Sequence, residues 1–335
     1  TFTVSAAPSI TSTTTEVCSG GSISFTATPS GGDWTTSNGT GTGSITSNGV
    51  FTGASAGSVT VSYSIGGTSA PITVTINALP VAPTATTAIA YCKDATATAL
   101  TATASGSHTL VWYDTDGTTV LSGAPTPSTS SVGTTTYYVA QNNTLTSCEG
   151  PQTTITITVN ALPVAPTATT TIDYCEDDAA VALSATASSG HTLVWYGSDG
   201  TTVLSGAPTP STSSAGTTNY YVAQNATLTD CEGPKTTITV TVSGTPVAPT
   251  VSDVSYCNNE TATALTATAS TGNTLVWYDA SQTGITTPTP STSSVGSVTY
   301  YVAQQTASGC EGPKSLVTVT INALPVAPTA TTAIA

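Results

Sequence analysis

The chain writes one string of motifs three times. Tyr91-Cys92, Tyr174-Cys175 and Tyr256-Cys257 each open a run that passes through LVWY, then PTPST, then YYVAQ, then CEGP. The period is 83 residues and then 82. Self-similarity at so long a period marks one folding unit copied along a string, each copy burying a core of its own. No copy carries chemistry that the others lack, so function is to be sought in the string.

Charge is sparse and one-sided: 17 acidic residues face three lysines, for a net charge of −14. Nucleic-acid binding needs clustered Lys and Arg, and docking on anionic lipid needs a basic patch, so both classes are excluded. No apolar run of about 18 residues offers a membrane span. Abundant β-branched residues with almost no Lys describe strands outside the cytosol. Low charge with much Ser, Thr and Pro also suits disorder, but the repeated Trp, Tyr and alternating Val, Ile and Leu supply a core.

Within the second copy, Pro80 to Ala90 reads as an extended lead-in. Residues 97–104 alternate small and polar, the period of a strand. Strands are further predicted over 110–113, 120–121, 136–141 and 153–159, with a hairpin signal at Asp116-Gly117. Residues 124–131 are Pro-punctuated and edge-like. No stretch shows helical periodicity. Six or seven short strands in about 82 residues, one Trp on the third and a late Tyr-rich strand predict an immunoglobulin-like sandwich. The expected fold class is therefore all-β, tandem immunoglobulin-like β-sandwiches in a linear array. The expected domains are 1–79 (divergent), 80–162, 163–245 and 246–325, with the start of a further repeat at 326–335. Residues 1–5 read as the tail of an earlier strand. Residues 321–335 repeat residues 76–90 letter for letter, so the chain reads as a stretch of a longer array.

The order Cys, Leu-Thr-Ala, Trp-Tyr, TPTPST, YYV and Gly-Cys-Glu, with a closing VTV strand, resembles the Ig-like repeats of very large bacterial surface proteins exported by type IX secretion. The resemblance covers residues 80–325. The first unit, with Trp34-Thr-Thr-Ser37-Asn38 and SNGVFTG, is similar to the bacterial Ig-like group 2 domains of intimin-like adhesins. Membership implies service in an extracellular stalk or adhesin on the bacterial cell surface and identifies no ligand.

Seven cysteines stand at Cys18, Cys92, Cys148, Cys175, Cys231, Cys257 and Cys310. Their spacings within a unit, 56, 56 and 53, do not suit the short-spaced ligands of zinc knuckles, and disulfides are the default outside the cytosol. One scheme pairs them within each unit: Cys92 with Cys148, Cys175 with Cys231, Cys257 with Cys310. The other follows from strands that alternate direction, which puts a unit's two cysteines at opposite ends. Bridged Cα atoms must lie within about 7 Å, so each unit's second cysteine then meets the previous unit's first: Cys18 with Cys148, Cys92 with Cys231, Cys175 with Cys310, leaving Cys257 unpaired. The interdomain scheme is preferred, because it explains a first unit with only one cysteine.

Trp34, Trp112, Trp195 and Trp277 are expected in the cores, with a sugar-binding platform as the functional alternative. Tyr113, Tyr196 and Tyr278, on the outer face, are better candidates for contact, with cross-strand packing as their expected role. His108 and His191 share one turn position that holds Asn273 in the last copy, which speaks against acid–base work. Asp114 and Asp116 faintly resemble a calcium loop, but the equivalent turns differ. Glu176, Asp177 and Asp178 offer a junction site for Ca²⁺ or a solvated turn. The Thr-x-Thr strands suit an ice-binding face or ordinary β-propensity. The reading is a non-enzymatic extracellular stalk or adhesin fibre that presents a binding element, without cofactor or metal. Its partners are neighbouring repeats, other copies in a fibre, and a surface ligand or glycan. An array of carbohydrate-binding modules on a secreted enzyme and a polymeric filament subunit are the alternatives.

Overall fold

A split first strand organises every repeat of this chain. The computed structural model describes residues 7–329. The strand tail expected at residues 1–5 and the last six residues of the expected further repeat lie outside the described residues. The chain forms two compact units, residues 1–162 and 163–335. Among the described residues every regular element is a strand.

In the first unit, residues up to Asn77 supply β1 (Ser9–Thr11), β2 (Glu16–Cys18), β3 (Ser22–Ser24), β4 (Thr26–Thr28), β5 (Asp33–Asn38), β6 (Thr42–Ile45), β7 (Val50–Ser55), β8 (Gly57–Ile65) and β9 (Thr68–Asn77). One sheet has the order β2-β9-β8-β5, a second β3-β7-β6, and β1 pairs with β4. Val59 and Val61 of β8 and Val74 and Ile76 of β9 point to one face, as the two-residue period dictates. There they bury Ile23 and Phe51 of the facing strands and Phe25 between β3 and β4.

The same unit then holds β10 (Thr84–Ala85), β11 (Ala88–Cys92), β12 (Ala102–Thr103), β13 (His108–Tyr113), β14 (Val120–Leu121), β15 (Gly133–Asn143) and β16 (Thr153–Asn160). Five of these form the sheet β11-β16-β15-β13-β14. β10 pairs antiparallel with β12. The chain then crosses over, and β11 pairs parallel with β16, from Ala88 opposite Thr156 to Cys92 opposite Asn160. Leu100, Trp112, Val139, Ile155, Ile157 and Val159 form the core.

The strand expected over 97–104 shrinks to Ala102–Thr103. Its neighbour is the Pro-rich segment, which lacks the N–H groups for a ladder. It offers single carbonyls instead: the Leu100 N–H donates to Pro125 O at 2.9 Å.

The second unit repeats this topology twice. Thr171–Cys175, Thr236–Ser243, Gly216–Ala226, His191–Tyr196 and Val203–Leu204 form one five-stranded sheet. Val254–Cys257, Ser315–Asn322, Gly296–Gln305, Thr274–Tyr278 and Gly284–Ile285 form the other. Each encloses its own core around Trp195 or Trp277.

Candidate functional site

The features shared by all three copies, beyond the core, gather at the two ends of each sandwich. Parallel pairing with the last strand carries Cys92 to the end where its own repeat finishes, beside Asn160. Cys148 lies in the β15–β16 connection, where the Asn143 N–H donates to Cys148 O at 3.0 Å. The seven residue steps of β16 alone separate the two ends by about 23 Å at ~3.3 Å each. A bridge within the repeat is thus out of reach. The structure joins Cys18 to Cys148, with Cα atoms 5.6 Å apart, and Cys175 to Cys310, at 5.5 Å. Each bridge links one sandwich to the next within its unit. Cys92 and Cys231 are each disulfide-bonded as well, and Cys257 is a free, exposed thiol. The turn after each first cysteine places Asp94, Asp177 and Asn259 at φ of 63°, 67° and 62°, a region that Asn and Asp tolerate best among residues with a side chain.

The extended lead-in is a clamped part of its own repeat. Gln141, in YYVAQ, is fully buried. Its Oε1 accepts from the Ser105 N–H at 2.7 Å, and its Nε2 donates to Val81 O at 2.6 Å and to Ser105 Oγ at 2.8 Å. Gln224 holds Val164 O at 2.7 Å, and Gln304 holds Val247 O at 2.9 Å. Two residues after each lead-in valine, Pro83 O and Pro166 O accept from Thr153 Oγ1 and Thr236 Oγ1 at 2.5 and 2.6 Å, and Pro249 O from Ser315 Oγ at 2.6 Å. The CEGP glycine closes the clamp by close approach. A Cβ on Gly150, Gly233 or Gly312 would sit 2.3, 2.4 or 1.9 Å from the carbonyl oxygen of Pro80, Pro163 or Pro246. Sequence reasoning missed this clamp, although the repeated Gln after an apolar run was its visible sign.

The CEGP glutamate covers the outer tyrosine, which leaves that residue to packing rather than contact. Tyr113, Tyr196 and Tyr278 donate to Glu149, Glu232 and Glu311. Burial, reinforced by the neighbouring carboxylate, pushes each of these hydroxyls up to about 12. Lys235 Nζ lies 3.5 Å from the Tyr196 ring centre and Lys314 Nζ 3.4 Å from that of Tyr278, the geometry of a cation–π contact.

Trp112, Trp195 and Trp277 are buried. Trp34 is half-buried, packed against the rings of Phe25 and Tyr63 at 6.1 and 4.8 Å, which corrects the expectation of a core residue. It stands on β5, the edge of its sheet, whereas Trp112 stands on β13 between β14 and β15. An edge strand leaves one flank of a large ring open.

The turn carboxylates hold backbone. Asp116 accepts from the N–H groups of Thr118 and Thr119 at 2.9 and 2.8 Å and from Thr119 Oγ1 at 2.6 Å. The Thr119 hydroxyl, then the two amides, hold its carboxyl well below the usual range. Asp199 and Asp279 do the same work in the later copies. Asp178 is turned onto the Cys175 N–H at 2.7 Å. Among the described residues no three His, Cys, Asp or Glu side chains gather as metal ligands do. His191 Nδ1 lies 2.9 Å from Ser189 O, and Asn273 donates to Gln304 Oε1 at 3.3 Å. That position supports a turn.

Among solved structures the chain is similar to tandem immunoglobulin arrays at low identity. A fragment from the I-band of titin matches at 13% identity, covering 72% of this chain and 99% of that one, with a TM-score of 0.29. The N-terminal eight Ig domains of Down syndrome cell adhesion molecule match at 12%, covering 95% and 50%, with a TM-score of 0.30. The insect immune protein hemolin matches at 10%, covering 95% and 100%, with a TM-score of 0.24. No curated protein matches the chain. The family model for the Ig-like domain described as CHU_C associated matches residues 80–160, 163–243 and 246–323. With three successive copies spanning most of its length, the chain belongs to that Ig-like domain family.

Proposed function

We propose that this chain is a segment of a non-enzymatic extracellular stalk or adhesin fibre on a bacterial surface, exported by the type IX route. Tandem Ig-like domains there project a binding element for a ligand or glycan. The observation that carries the reading is the pair of bridges, Cys18–Cys148 and Cys175–Cys310, each joining one sandwich to the next. Disulfides persist in oxidising compartments, and bridges between sandwiches restrain the joint rather than the core. The chemistry elsewhere supports a structural role. The histidines brace turns, the turn aspartates cap backbone, and the repeated tryptophans of residues 80–323 are buried where no sugar ring reaches them.

Immunogold labelling of the source cells with antibody to the repeats tests the reading. Intact cells are expected to carry the label and to lose it after brief surface proteolysis. Label confined to permeabilised cells overturns it.

A further inference from the structure

We infer that the bridges take tensile load away from the sandwiches and place it on one short segment, Cys148–Cys175. This deepens the stalk reading and rests on it only for its biological use. The inference itself concerns covalent connectivity.

Chain pulled from its ends transmits force along the shortest covalent path. The Cys18–Cys148 bridge removes 130 residues from that path, and the Cys175–Cys310 bridge removes 135. Between Cys18 and Cys310 only the stretch from Cys148 to Cys175 remains in series. Its ~27 residue steps, at a limit of ~3.6 Å each, reach about 100 Å.

Much of that stretch is already extended. β16 spans Thr153–Asn160, and Thr171–Cys175 is a strand paired with Thr239–Ser243. A strand rises about 3.3 Å per residue against a limit of about 3.6 Å, so pulling gains little length there. Between the two strands, the lead-in is held by the Gly233 approach to Pro163 and by the bonds from Gln224 to Val164 O and from Thr236 to Pro166 O. The clamp repeated in every copy therefore grips, in this copy, the series element of the load path. β16 is further bonded on both flanks, to β11 and to β15. The strands that carry Trp112, Trp195 and Trp277 lie off the path, while Ile155, Ile157 and Val159 of β16 tie the Trp112 core to it.

Single-molecule force spectroscopy on the full chain with terminal handles tests the inference. The Cys257→Ser background removes the exposed thiol. Under oxidising conditions no unfolding step longer than about 100 Å is expected, because that is the reach of the series segment. In Cys18→Ser/Cys175→Ser chain, steps of about 250 Å are expected, since a freed sandwich of ~80 residues spans about 290 Å extended, less its folded length. Oxidised wild-type chain reduced after folding serves as a second route to the same state, should the variant fold poorly. Steps of about 250 Å in the oxidised chain overturn the inference, and so does an unchanged record after reduction. Neither result bears on surface display, and a failure of immunogold labelling leaves the load path standing.

Discussion

Gln141→Glu isolates the lead-in clamp from simple core packing. The two side chains have nearly the same volume, so no cavity forms. The Oε1 acceptor for the Ser105 N–H is kept, while the donations to Val81 O and Ser105 Oγ are lost. An oxygen then faces the Val81 carbonyl. A lost hydrogen bond costs about 0.5–1.5 kcal/mol, and a buried acceptor left unpaired about 1–3 kcal/mol, so at neutral pH the repeat loses about 3 kcal/mol. No cation is at hand to compensate: Lys93 is paired with Asp94 at 2.6 Å, and the other two lysines lie over tyrosine rings of later copies.

The pH dependence follows from the same geometry. Burial without a positive partner raises the folded-state pKa of the introduced carboxyl above its unfolded value of about 4.3. A group with a raised folded pKa is least destabilising below the unfolded value, and the deficit grows as pH rises through the folded one. The protonated carboxyl is again a donor for Val81 O. Thermal unfolding read by pulsed hydrogen exchange, peptide by peptide, gives the repeat its own transition. At about 4–8 °C per kcal/mol for a domain of this size, the variant is expected to unfold about 12 °C or more below wild type at pH 7, and close to it at pH 4. Gln141→Leu is expected to lose stability equally at both. A deficit below about 1 kcal/mol at pH 7, or one that does not shrink at pH 4, refutes the clamp.

Other substitutions probe the remaining features. Trp112→Ala is expected to cost its repeat about 3–5 kcal/mol, and Trp34→Ala, on an edge strand, about 1–2 kcal/mol; equal losses in urea unfolding refute the edge argument. Gly233→Ala drives a Cβ to 2.4 Å from Pro163 O and is expected to cost about 1–3 kcal/mol through displaced backbone, with raised exchange at Val164 and Ala165; unchanged exchange there refutes the close approach. Tyr113, Tyr196 and Tyr278, raised to about 12, favour the fold fully below pH 10 and less as pH climbs toward 12. Phenolate absorbance is expected to show three late-titrating tyrosines, and Glu232→Gln to bring Tyr196 earlier. One thiol per chain is expected to react with a maleimide in the native state and none in Cys257→Ser, and a non-reducing peptide map is expected to join the Cys18 and Cys148 segments.

The period, the strand class and the sandwich cores were legible because hydrophobic alternation and copying are both one-dimensional signals. Ile155, Ile157 and Val159 face inward as their spacing demands. The opposite-end placement of cysteines was legible too, though by a different route from the one the fold takes. Strand alternation suggested it, whereas the split first strand and its parallel pairing with β16 produce it. A parallel pairing of first and last strands leaves no local mark, since its partners lie some 68 residues apart in sequence, as Ala88 and Thr156 do. The partner of the outer tyrosine left no local mark for a related reason. Alternation tells which way Tyr113 points, but not that Glu149, carried in on a distant loop, covers it.

What the copies hold in common separates further from what they let drift. The turn position takes His108, His191 or Asn273, and the residue bracing the hairpin beyond the Trp strand is Gln152, Lys235 or Lys314. Gln152 Nε2 and Lys235 Nζ both donate to the turn glycine carbonyl, Gly117 O and Gly200 O, at 3.0 and 2.7 Å. Any long donor serves there, because a solvent-facing bond tolerates exchange. The buried Gln, the CEGP glycine and the hydroxyl-bearing first residue of the last strand change only by Thr to Ser, and all three act on the lead-in. Buried donors have no water to substitute for them, and a glycine packed against backbone leaves no room for a side chain. The lead-in thus stays fastened in each copy, and the chain between the last strand of the first sandwich, which ends at Asn77, and Pro80 contracts to two residues, Ala78 and Leu79. A joint that short, beside the Cys18–Cys148 bridge that closes over 130 residues, makes cysteine pairing and lead-in packing two parts of one restraint on that joint.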